Sequence, residues 1–138
     1  MKDEFKINLD NLRETEKLAQ KIAKRLKPKS FISLRGKLGV GKTTLASFII
    51  NNLSKKKIRV PSPTFSIVNI YDLKNIKVWH YDLFRLSNKK EIFINLSKFF
   101  ESLSNINTFV LFSCLIKKYF LSEASPAKNR KLSNFIFL

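Results

Sequence analysis

Cysteine is almost absent from this 138-residue sequence, in which Cys114 is the only one. A single cysteine excludes an internal disulfide and is typical of proteins that work in a reducing compartment. Glycine is scarce as well, and its three occurrences all fall between residues 36 and 41. Hydrophobic residues make up 44% of the chain and charged residues 27%, which predicts a globular protein rather than a disordered one. The length predicts one compact domain with its own core, and not two.

Long apolar runs are also missing from the sequence. The longest, from Phe109 to Ile116, is interrupted by Ser113 and is too short to span a bilayer. The amino terminus reads MKDEFKINLD, with acids where a signal peptide would carry an apolar segment. We therefore expect a soluble, cytoplasmic protein that does not enter a membrane.

Acidic residues are few: 10 stand against 27 Lys and Arg, which gives a net charge of +17. One interpretation is a nucleic-acid surface, because clustered basic residues are typical of phosphate binding. The other is compositional drift, since Lys far outnumbers Arg and since Asn, Ile and Phe are abundant, as expected from an AT-rich genome. The lysines are scattered along the sequence, with Lys55, Lys56 and Lys57 as the only run of three. No nucleic-acid module accompanies them, so we favour drift.

The stretch FISLRGKLGVGKTTLASFIINNL, from Phe31 to Leu53, contains the pattern G-x-x-x-x-G-K-Ser/Thr in full, at Gly36, Gly41, Lys42 and Thr43. Glycines let the backbone turn and approach a ligand closely. The N–H groups of such a loop form an anion-binding concavity at the positive end of the next helix. Lys42 would reach the β- and γ-phosphates of a nucleotide, and the Thr43 hydroxyl would ligate Mg²⁺. The alternative interpretation is an ordinary glycine turn between a strand and a helix.

The segment before this loop predicts one strand and one helix. Alternating apolar and polar residues over 5–9 predict a half-buried strand. A helix should follow, capped by Asn11 or Asp10, with Glu14 completing an approximate capping box. An amphipathic stripe continues the helix until Pro28 ends it.

The loop itself should join a strand that ends at about Arg35 to a helix over Thr43–Leu53. Residues 54–59 are a polar loop, and the prolines in 60–65 exclude a helix there. Apolar residues at helical spacing predict a further helix over 89–102.

A strand over 65–71, apolar on both faces and hence interior to the sheet, should pair with a second strand over 76–81 in an antiparallel hairpin. Asp82 follows where the second strand ends, the usual place for a carboxylate that holds Mg²⁺; a helix cap or turn is its alternative role. His80 is the only histidine, and a lone histidine on a strand is more often structural than catalytic.

Three motifs in this order, LRGKLGVGKTT, SPTF and WHYDLFRL, together with the preceding helix, closely resemble the TsaE (YjeE) family of bacterial P-loop ATPases. The resemblance covers roughly residues 5–103. It implies an α/β fold, the three-layer P-loop NTPase fold with a mixed parallel and antiparallel central sheet, and weak Mg²⁺-dependent ATP hydrolysis. It also implies a role in forming N6-threonylcarbamoyladenosine at position 37 of tRNA. TsaD and TsaB would be the protein partners, TsaC or Sua5 would supply the threonylcarbamoyl-adenylate intermediate, and tRNA would be reached only through the complex.

Carried over motif by motif, the resemblance implies ATP and Mg²⁺ as cofactors and assigns residues to them. The nucleotide phosphates would be bound by Gly36, Lys37, Leu38, Gly39, Val40, Gly41, Lys42, Thr43 and Thr44. Thr43 and Asp82 would hold the metal, and Lys42, Asp82 and Thr64 would be catalytic, with Thr64 in the switch-like SPTF segment near the γ-phosphate. Thr15 would border the nucleotide base.

The resemblance stops in the last third of the chain. The family continues with a strand ending in Glu-Trp, whose Glu helps to coordinate Mg²⁺, whereas the comparable strand here reads TFVLFSC, from Thr108 to Cys114. We therefore divide the chain into a TsaE-like ATPase domain, 1–103, and a divergent segment, 104–138, which is either a true divergence or an out-of-frame translation, and we favour the second. Three functions remain open: a working ATPase of the tRNA-modification complex, a subunit that binds ATP but hydrolyses it poorly, and an unrelated small-molecule kinase.

Overall fold

The computed structural model of the chain describes residues 6–82, 94, 108–114 and 135–137. Two helices and five strands lie within these ranges. In chain order they are α1 (Leu12–Arg25), β1 (Phe31–Arg35), α2 (Lys42–Leu53), β2 (Val68–Leu73), β3 (Ile76–Asp82), β4 (Thr108–Cys114) and β5 (Phe135–Phe137). The chain is therefore an α/β protein. Of the helix expected over 89–102, the structure describes only Ile94, which is helical.

The five strands form one sheet in the order β2-β3-β4-β1-β5. β1 pairs in parallel with both β4 and β5, and β3 pairs in parallel with β4, whereas β2 and β3 are antiparallel. The strand expected over Thr108–Cys114 is confirmed with these bounds. It lies between β1 and β3, so the described strands on both sides of residue 104 belong to the same sheet. The division of the chain at residue 104 stays a prediction.

Helix α1 begins as its sequence predicts. Asn11 is the N-cap, and its side-chain oxygen accepts a hydrogen bond from the Glu14 N–H at 3.0 Å. The Glu14 carboxylate reaches back to the N–H of Asp10 at 2.8 Å, one residue earlier than in a regular capping box. α1 ends at Arg25, three residues before Pro28, with Leu26 as its C-cap. Pro28 disfavours helical geometry at Lys27, so the helix cannot continue far beyond this cap.

The core lies between the two helices and one face of the sheet. α1 packs against α2, and the buried residues Ala19, Ile22, Ile32, Leu34, Leu45, Ala46, Ile49, Ile50, Val60, Leu73 and Val78 form one cluster. Ile32 and Leu34 alternate along β1, so the sheet face that carries them is the face covered by α1 and α2. The second helical layer of the expected three-layer fold would cover the other face, and its candidate helix, over 89–102, is described only at Ile94.

The hairpin is confirmed, but its first strand differs from the prediction in two ways. β2 begins at Val68 and not at Phe65, because the chain turns over Thr64–Ser66 and Ile67 has a positive φ of 64°. The prediction that this strand is interior is wrong, since β2 is at one end of the strand order and Ile70 is half exposed. Its apolar residues on both faces misled the prediction, because an edge strand can leave an apolar side chain in solvent.

The prediction of a strand over residues 5–9 is also wrong. Residues 6–10 have no regular structure, and Ile7 is 58% exposed. The edge of β1 that such a strand could extend is occupied by β5. Alternation alone therefore predicted a strand, although both edges of β1 are already paired in the described sheet.

Candidate nucleotide-binding site

The glycine-rich loop and Asp82 lie at the same edge of the sheet. The parallel strands β1, β4 and β3 end at this edge, β1 leading directly into Gly36 and β3 ending at Asp82. Leu34 and Asp82 are both register partners of Ser113 on β4. They are therefore two strand spacings apart, about 10 Å across the sheet. In α/β proteins, ligands bind at the carboxyl ends of the parallel strands.

The loop between β1 and α2 requires glycine at two positions for different reasons. Gly41 is the N-cap of α2 with a φ of 97°, a left-handed conformation that side chains with a Cβ rarely adopt. A Cβ on Gly36 would lie 2.7 Å from the Cγ2 of Val40, a distance at which the loop would have to open. The glycines thus let the loop close tightly and turn into the helix, as a phosphate-binding loop must.

Lys42 is held across the loop that precedes it. Its Nζ donates hydrogen bonds to the carbonyl oxygens of Gly36 and Lys37, at 2.9 and 2.7 Å. The first turn of α2 carries neither an acidic residue nor a side-chain cap, in contrast to α1 with its Asn11 cap. The positive end of α2 and the Lys42 ammonium group are therefore both available to an anion at the loop.

Thr43 and Thr44 are half-buried in the first turn of α2, next to Lys42 as the motif requires. Thr15 is in the first turns of α1, where its hydroxyl donates to the carbonyl of Asn11 at 3.3 Å. α1 leads through a short loop into β1, so its first turns lie toward the edge of the sheet that carries the glycine loop. The role of Thr15 at a nucleotide base stays a prediction.

Asp82 is linked to Thr64 through a residue that the sequence analysis missed. The Ser62 hydroxyl donates to Oδ2 of Asp82 at 3.3 Å, and the Thr64 hydroxyl donates to Ser62 Oγ at 2.9 Å. Ser62 therefore connects two residues that were predicted separately to be catalytic. Ser62 belongs to the same Ser-Pro-Thr-Phe motif that predicted Thr64, and this is the sequence feature that could have identified it.

The segment that carries Ser62 and Thr64 is fixed to the hairpin at both of its ends. The side-chain amide of Asn69 on β2 donates to the carbonyl of Pro61 at 3.3 Å, and Ser66 Oγ donates to Oδ1 of Asn69 at 2.7 Å. The N–H of Asp82 donates to the carbonyl of Ile67 at 2.9 Å. The side chains of this segment are thus positioned by the strands that end at the site.

Burial controls the titration of the residues just before Asp82. His80 is fully buried, and desolvation lowers its pKa to about 4, although the charge of Asp82 opposes this shift. Burial also raises the pKa of Tyr81 to about 12. His80 is therefore neutral near pH 7, and its burial agrees with the structural role expected for it.

Oxygen ligands for a metal are few at this edge. No group of three or more His, Cys, Asp or Glu residues is present within the described part of the chain. Mg²⁺ does not need such a group, because in nucleotide sites it takes one or two protein oxygens and completes its octahedron with phosphates and water. A Thr43 hydroxyl and an Asp82 carboxylate fit this requirement.

None of the described helices is both long and apolar enough to cross a membrane.

Comparison with known proteins identifies the family. The model of the family described as threonylcarbamoyl adenosine biosynthesis protein TsaE matches residues 9–124. The chain is 40% identical over 85 residues to the tRNA threonylcarbamoyladenosine biosynthesis protein TsaE of Rickettsia felis, which covers 62% of this chain and 50% of that protein. It is 43% identical over 79 residues to the protein of the same name from Aquifex aeolicus, covering 56% of this chain and 59% of the other. The chain thus spans about half the length of the curated relatives it matches.

The fold is also similar to that of a solved structure. The crystal structure of YdiB from Bacillus subtilis matches with a TM-score of 0.54 and 24% identity, over 75% of this chain and 60% of that one. This likeness concerns the fold alone. Because the family model covers most of the sequence, the chain belongs to the TsaE family.

Proposed function

We propose that this chain is an ATP-binding, ATP-hydrolysing subunit that supports the formation of threonylcarbamoyladenosine in tRNA, acting with TsaD and TsaB in the bacterial cytoplasm. The observation that carries the proposal is the glycine loop, closed by Lys42 and placed at the sheet edge where β3 ends in Asp82. The names of the relatives supply the pathway. The P-loop NTPase fold, with a further helical layer on the open face of the sheet, is part of the same proposal.

Binding of ATP would use residues 36–44. The backbone N–H groups of the loop and of the first turn of α2 would receive the phosphates at the positive end of the helix. Lys42 would exchange its hydrogen bonds to two loop carbonyls for bonds to phosphate oxygens, which are stronger because both partners are charged. Its present partners therefore keep the ammonium group oriented toward the loop.

Thr43 and Asp82 would hold Mg²⁺, which neutralises the charge of the phosphates in phosphoryl transfer. Thr64 would act near the γ-phosphate. Because Ser62 donates to Asp82 and accepts from Thr64, a change at the metal side would be transmitted to the SPTF segment. This link is the basis for assigning a switch role to the segment.

One observation favours a second version of this function, in which the chain binds ATP but hydrolyses it slowly. β4 ends in Ser113 and Cys114 between the strands that carry the loop and Asp82, and β4 contains no acidic residue. A metal site with Asp82 as its only carboxylate would hold Mg²⁺ less tightly. The chain could then bind ATP and dock on its partners while hydrolysing ATP slowly.

A turnover assay with and without purified TsaD and TsaB separates these versions. A working ATPase should hydrolyse ATP, and the partners should change the rate. A binding subunit should bind ATP and support threonylcarbamoyladenosine formation by TsaC, TsaD and TsaB with little hydrolysis of its own. ADP formation that needs an added small-molecule acceptor and yields the phosphorylated acceptor in place of inorganic phosphate, with no effect on tRNA modification, would contradict both.

A further inference from the structure

The ends of α1 and α2 that lie away from the glycine loop meet at one end of the molecule. α2 starts at the glycine loop, and α1 ends just before β1 starts. Both helices therefore have their carboxyl ends at the edge of the sheet opposite the candidate nucleotide site. α1 packs against α2, and Leu26 after α1 and Ile58 after α2 both pack against the same core cluster, so the two segments follow neighbouring helices on one face of the sheet.

These two segments carry a dense group of cations. The first supplies Lys24, Arg25, Lys27 and Lys29, and the second supplies Lys55, Lys56 and Lys57; all seven are exposed. We call this group the basic end. Lys74, in the turn between β2 and β3, is exposed at the same end of the sheet. Two basic clusters, at 24–29 and 55–57 in the sequence, are thus placed at the same end by the fold.

Acidic residues do not balance this group in the described part of the chain. Asp10, Glu14 and Glu16 are at the start of α1, toward the opposite edge, and Asp82 is at the candidate nucleotide site. Asp72 lies toward the basic end and is already 3.5 Å from Lys77. The positive charge of the basic end is therefore directed to solvent.

The loop that carries Lys55, Lys56 and Lys57 is held to the end of α2. Asn51 donates from Nδ2 to the carbonyl of Ile58 at 3.1 Å and accepts the Ile58 N–H at 2.8 Å. Ser54 Oγ donates to the carbonyl of Lys56 at 2.7 Å. The other segment closes in a turn in which the Ser30 hydroxyl accepts the N–H of Lys27 at 3.0 Å. The backbones that carry the lysines are thus fixed before any partner arrives.

We propose that the basic end binds the phosphate backbone of RNA, so that this chain contacts tRNA directly and not only through its protein partners. The choice of RNA rests on the proposed function, because the relatives are named for a modification of tRNA. Lysines are flexible point charges that contact phosphates without reading bases. The surface should therefore recognise RNA by charge and shape, while the opposite edge of the sheet stays open to the nucleotide.

The test measures binding of a fluorescently labelled, unmodified tRNA transcript to the whole chain between 50 and 300 mM salt, by anisotropy. Each phosphate contact should contribute about 0.7–0.9 to the slope of log affinity against log salt. The triple variant K55A/K56A/K57A should lower the affinity by about tenfold or more near 100 mM salt and reduce the slope by about 2. The charge-matched control is K6A/R13A/K17A, which removes three exposed cations that lie about two helical turns or more before Lys24 and outside the basic end. It should change the affinity by less than about threefold, since distant charges are screened.

Equal losses in the two triple variants would overturn the proposal, because net charge alone would then explain the binding. Equally tight binding of polyglutamate would overturn the choice of RNA and indicate an acidic protein partner instead. ATP binding is measured in the same samples, and the basic-end variant should keep it. If the wild type bound tRNA but not ATP, and K55A/K56A/K57A lost tRNA binding, the proposed nucleotide function would fail while this inference stood. Loss of ATP binding by K42A with tRNA binding retained would support both.

Discussion

Ser62 is the side chain through which the SPTF segment touches the carboxylate at the end of β3. It is one hydroxyl, but it holds Thr64 on one side and Asp82 on the other. The bond to Asp82 is exposed and, at 3.3 Å, longer than a strong O–H···O bond, so we assign it about 1 kcal/mol, below the range for bonds to charged groups. Ser62 therefore helps to orient the Asp82 carboxylate.

Replacing Ser62 with Ala should slow Mg²⁺-dependent ATP hydrolysis by roughly fivefold, because the Asp82 carboxylate loses a bond worth about 1 kcal/mol. It should also raise the Mg²⁺ concentration needed for half-maximal rate, whereas ATP binding without metal should be unchanged. Ser66→Ala is the matched control, since Ser66 is in the same segment and bonds to Asn69 instead. A Ser62→Ala variant with the Mg²⁺ dependence of the wild type would remove Ser62 from the site.

His80 makes a second prediction at the residue scale. Its pKa is about 4 in the folded chain and 6.5 when unperturbed. Between these values the unfolded chain binds a proton that the folded chain does not, so stability should fall as pH is lowered from about 6.5 to about 4. The contribution is at most about 3 kcal/mol, and it is fully present only above pH 6.5.

Chemical denaturation at a series of pH values, for the wild type and His80→Gln, measures this contribution. Carboxylates also titrate in the lower part of the window, and the comparison with the variant removes their effect. The variant should lose less stability than the wild type on acidification. Parallel curves for the two proteins would mean that His80 titrates normally and is not desolvated.

At the scale of elements, Asn51 fixes the loop that leaves α2. It makes two hydrogen bonds with the backbone of Ile58 and a third with the carbonyl of Ser47. Asn51→Ala should lower the free energy of unfolding by about 2 kcal/mol, because it leaves partly buried backbone groups unsatisfied. The neighbouring Asn52 makes one exposed bond within the helix, to Phe48.

Asn52→Ala is the control for this prediction, and its effect should stay within about 0.5 kcal/mol. Urea unfolding of both variants makes the comparison. Similar losses in the two variants would show that the loop is not anchored through Asn51.

The elements near the glycine loop were predictable because local signals agreed there. Strand, glycine turn and helix follow each other within one short stretch, and the end of β1 at Arg35 and of α2 at Leu53 were predicted correctly. The N-cap role of Asn11 is local as well, because its own side chain accepts the Glu14 N–H three residues later. These features depend on neighbouring residues and not on distant ones.

Features that depend on distant partners were not predictable. Alternation at residues 6–10 cannot reveal that β5 occupies the adjoining edge of β1. The apolar pattern of β2 cannot reveal an edge position, and nothing local predicts the positive φ of Ile67. The link from Ser62 to Asp82 spans 20 residues. The gathering of the basic end likewise arises from the parallel arrangement of two helices and is invisible in the order of the lysines.

At the scale of the whole molecule, the sheet depends on a strand from the part of the sequence where the resemblance stops. β4 is the neighbour of both β1 and β3, so its removal separates the strand of the glycine loop from the strand of Asp82. A chain ending at Leu103 should therefore lose cooperative unfolding and ATP binding. Residue 104 would then mark a change in sequence and not the border of a folding unit.

A chain ending at Ala124, where the family match ends, is the control for this truncation. It keeps β4, and β5, a short strand at the sheet edge, is the one described element that it loses, so it should still unfold cooperatively. Circular dichroism during thermal unfolding follows both chains. A chain ending at Leu103 that unfolds as sharply as the full chain would contradict the role of β4.

The central claim is that the loop from Gly36 to Thr44 binds ATP through Lys42. Isothermal titration of Mg²⁺-ATP into the wild type, Lys42→Ala and Lys37→Ala tests it directly. Lys37 is an exposed lysine of the same loop, and only its backbone carbonyl accepts the hydrogen bond from Lys42. Replacing the Lys37 side chain should therefore change the ATP affinity by less than about threefold, as expected for an exposed charge. Lys42→Ala should weaken binding by about a hundredfold, since charge-assisted bonds to two phosphates are lost, while the circular dichroism spectrum stays that of the wild type. Equal affinities for the wild type and Lys42→Ala would contradict the claim.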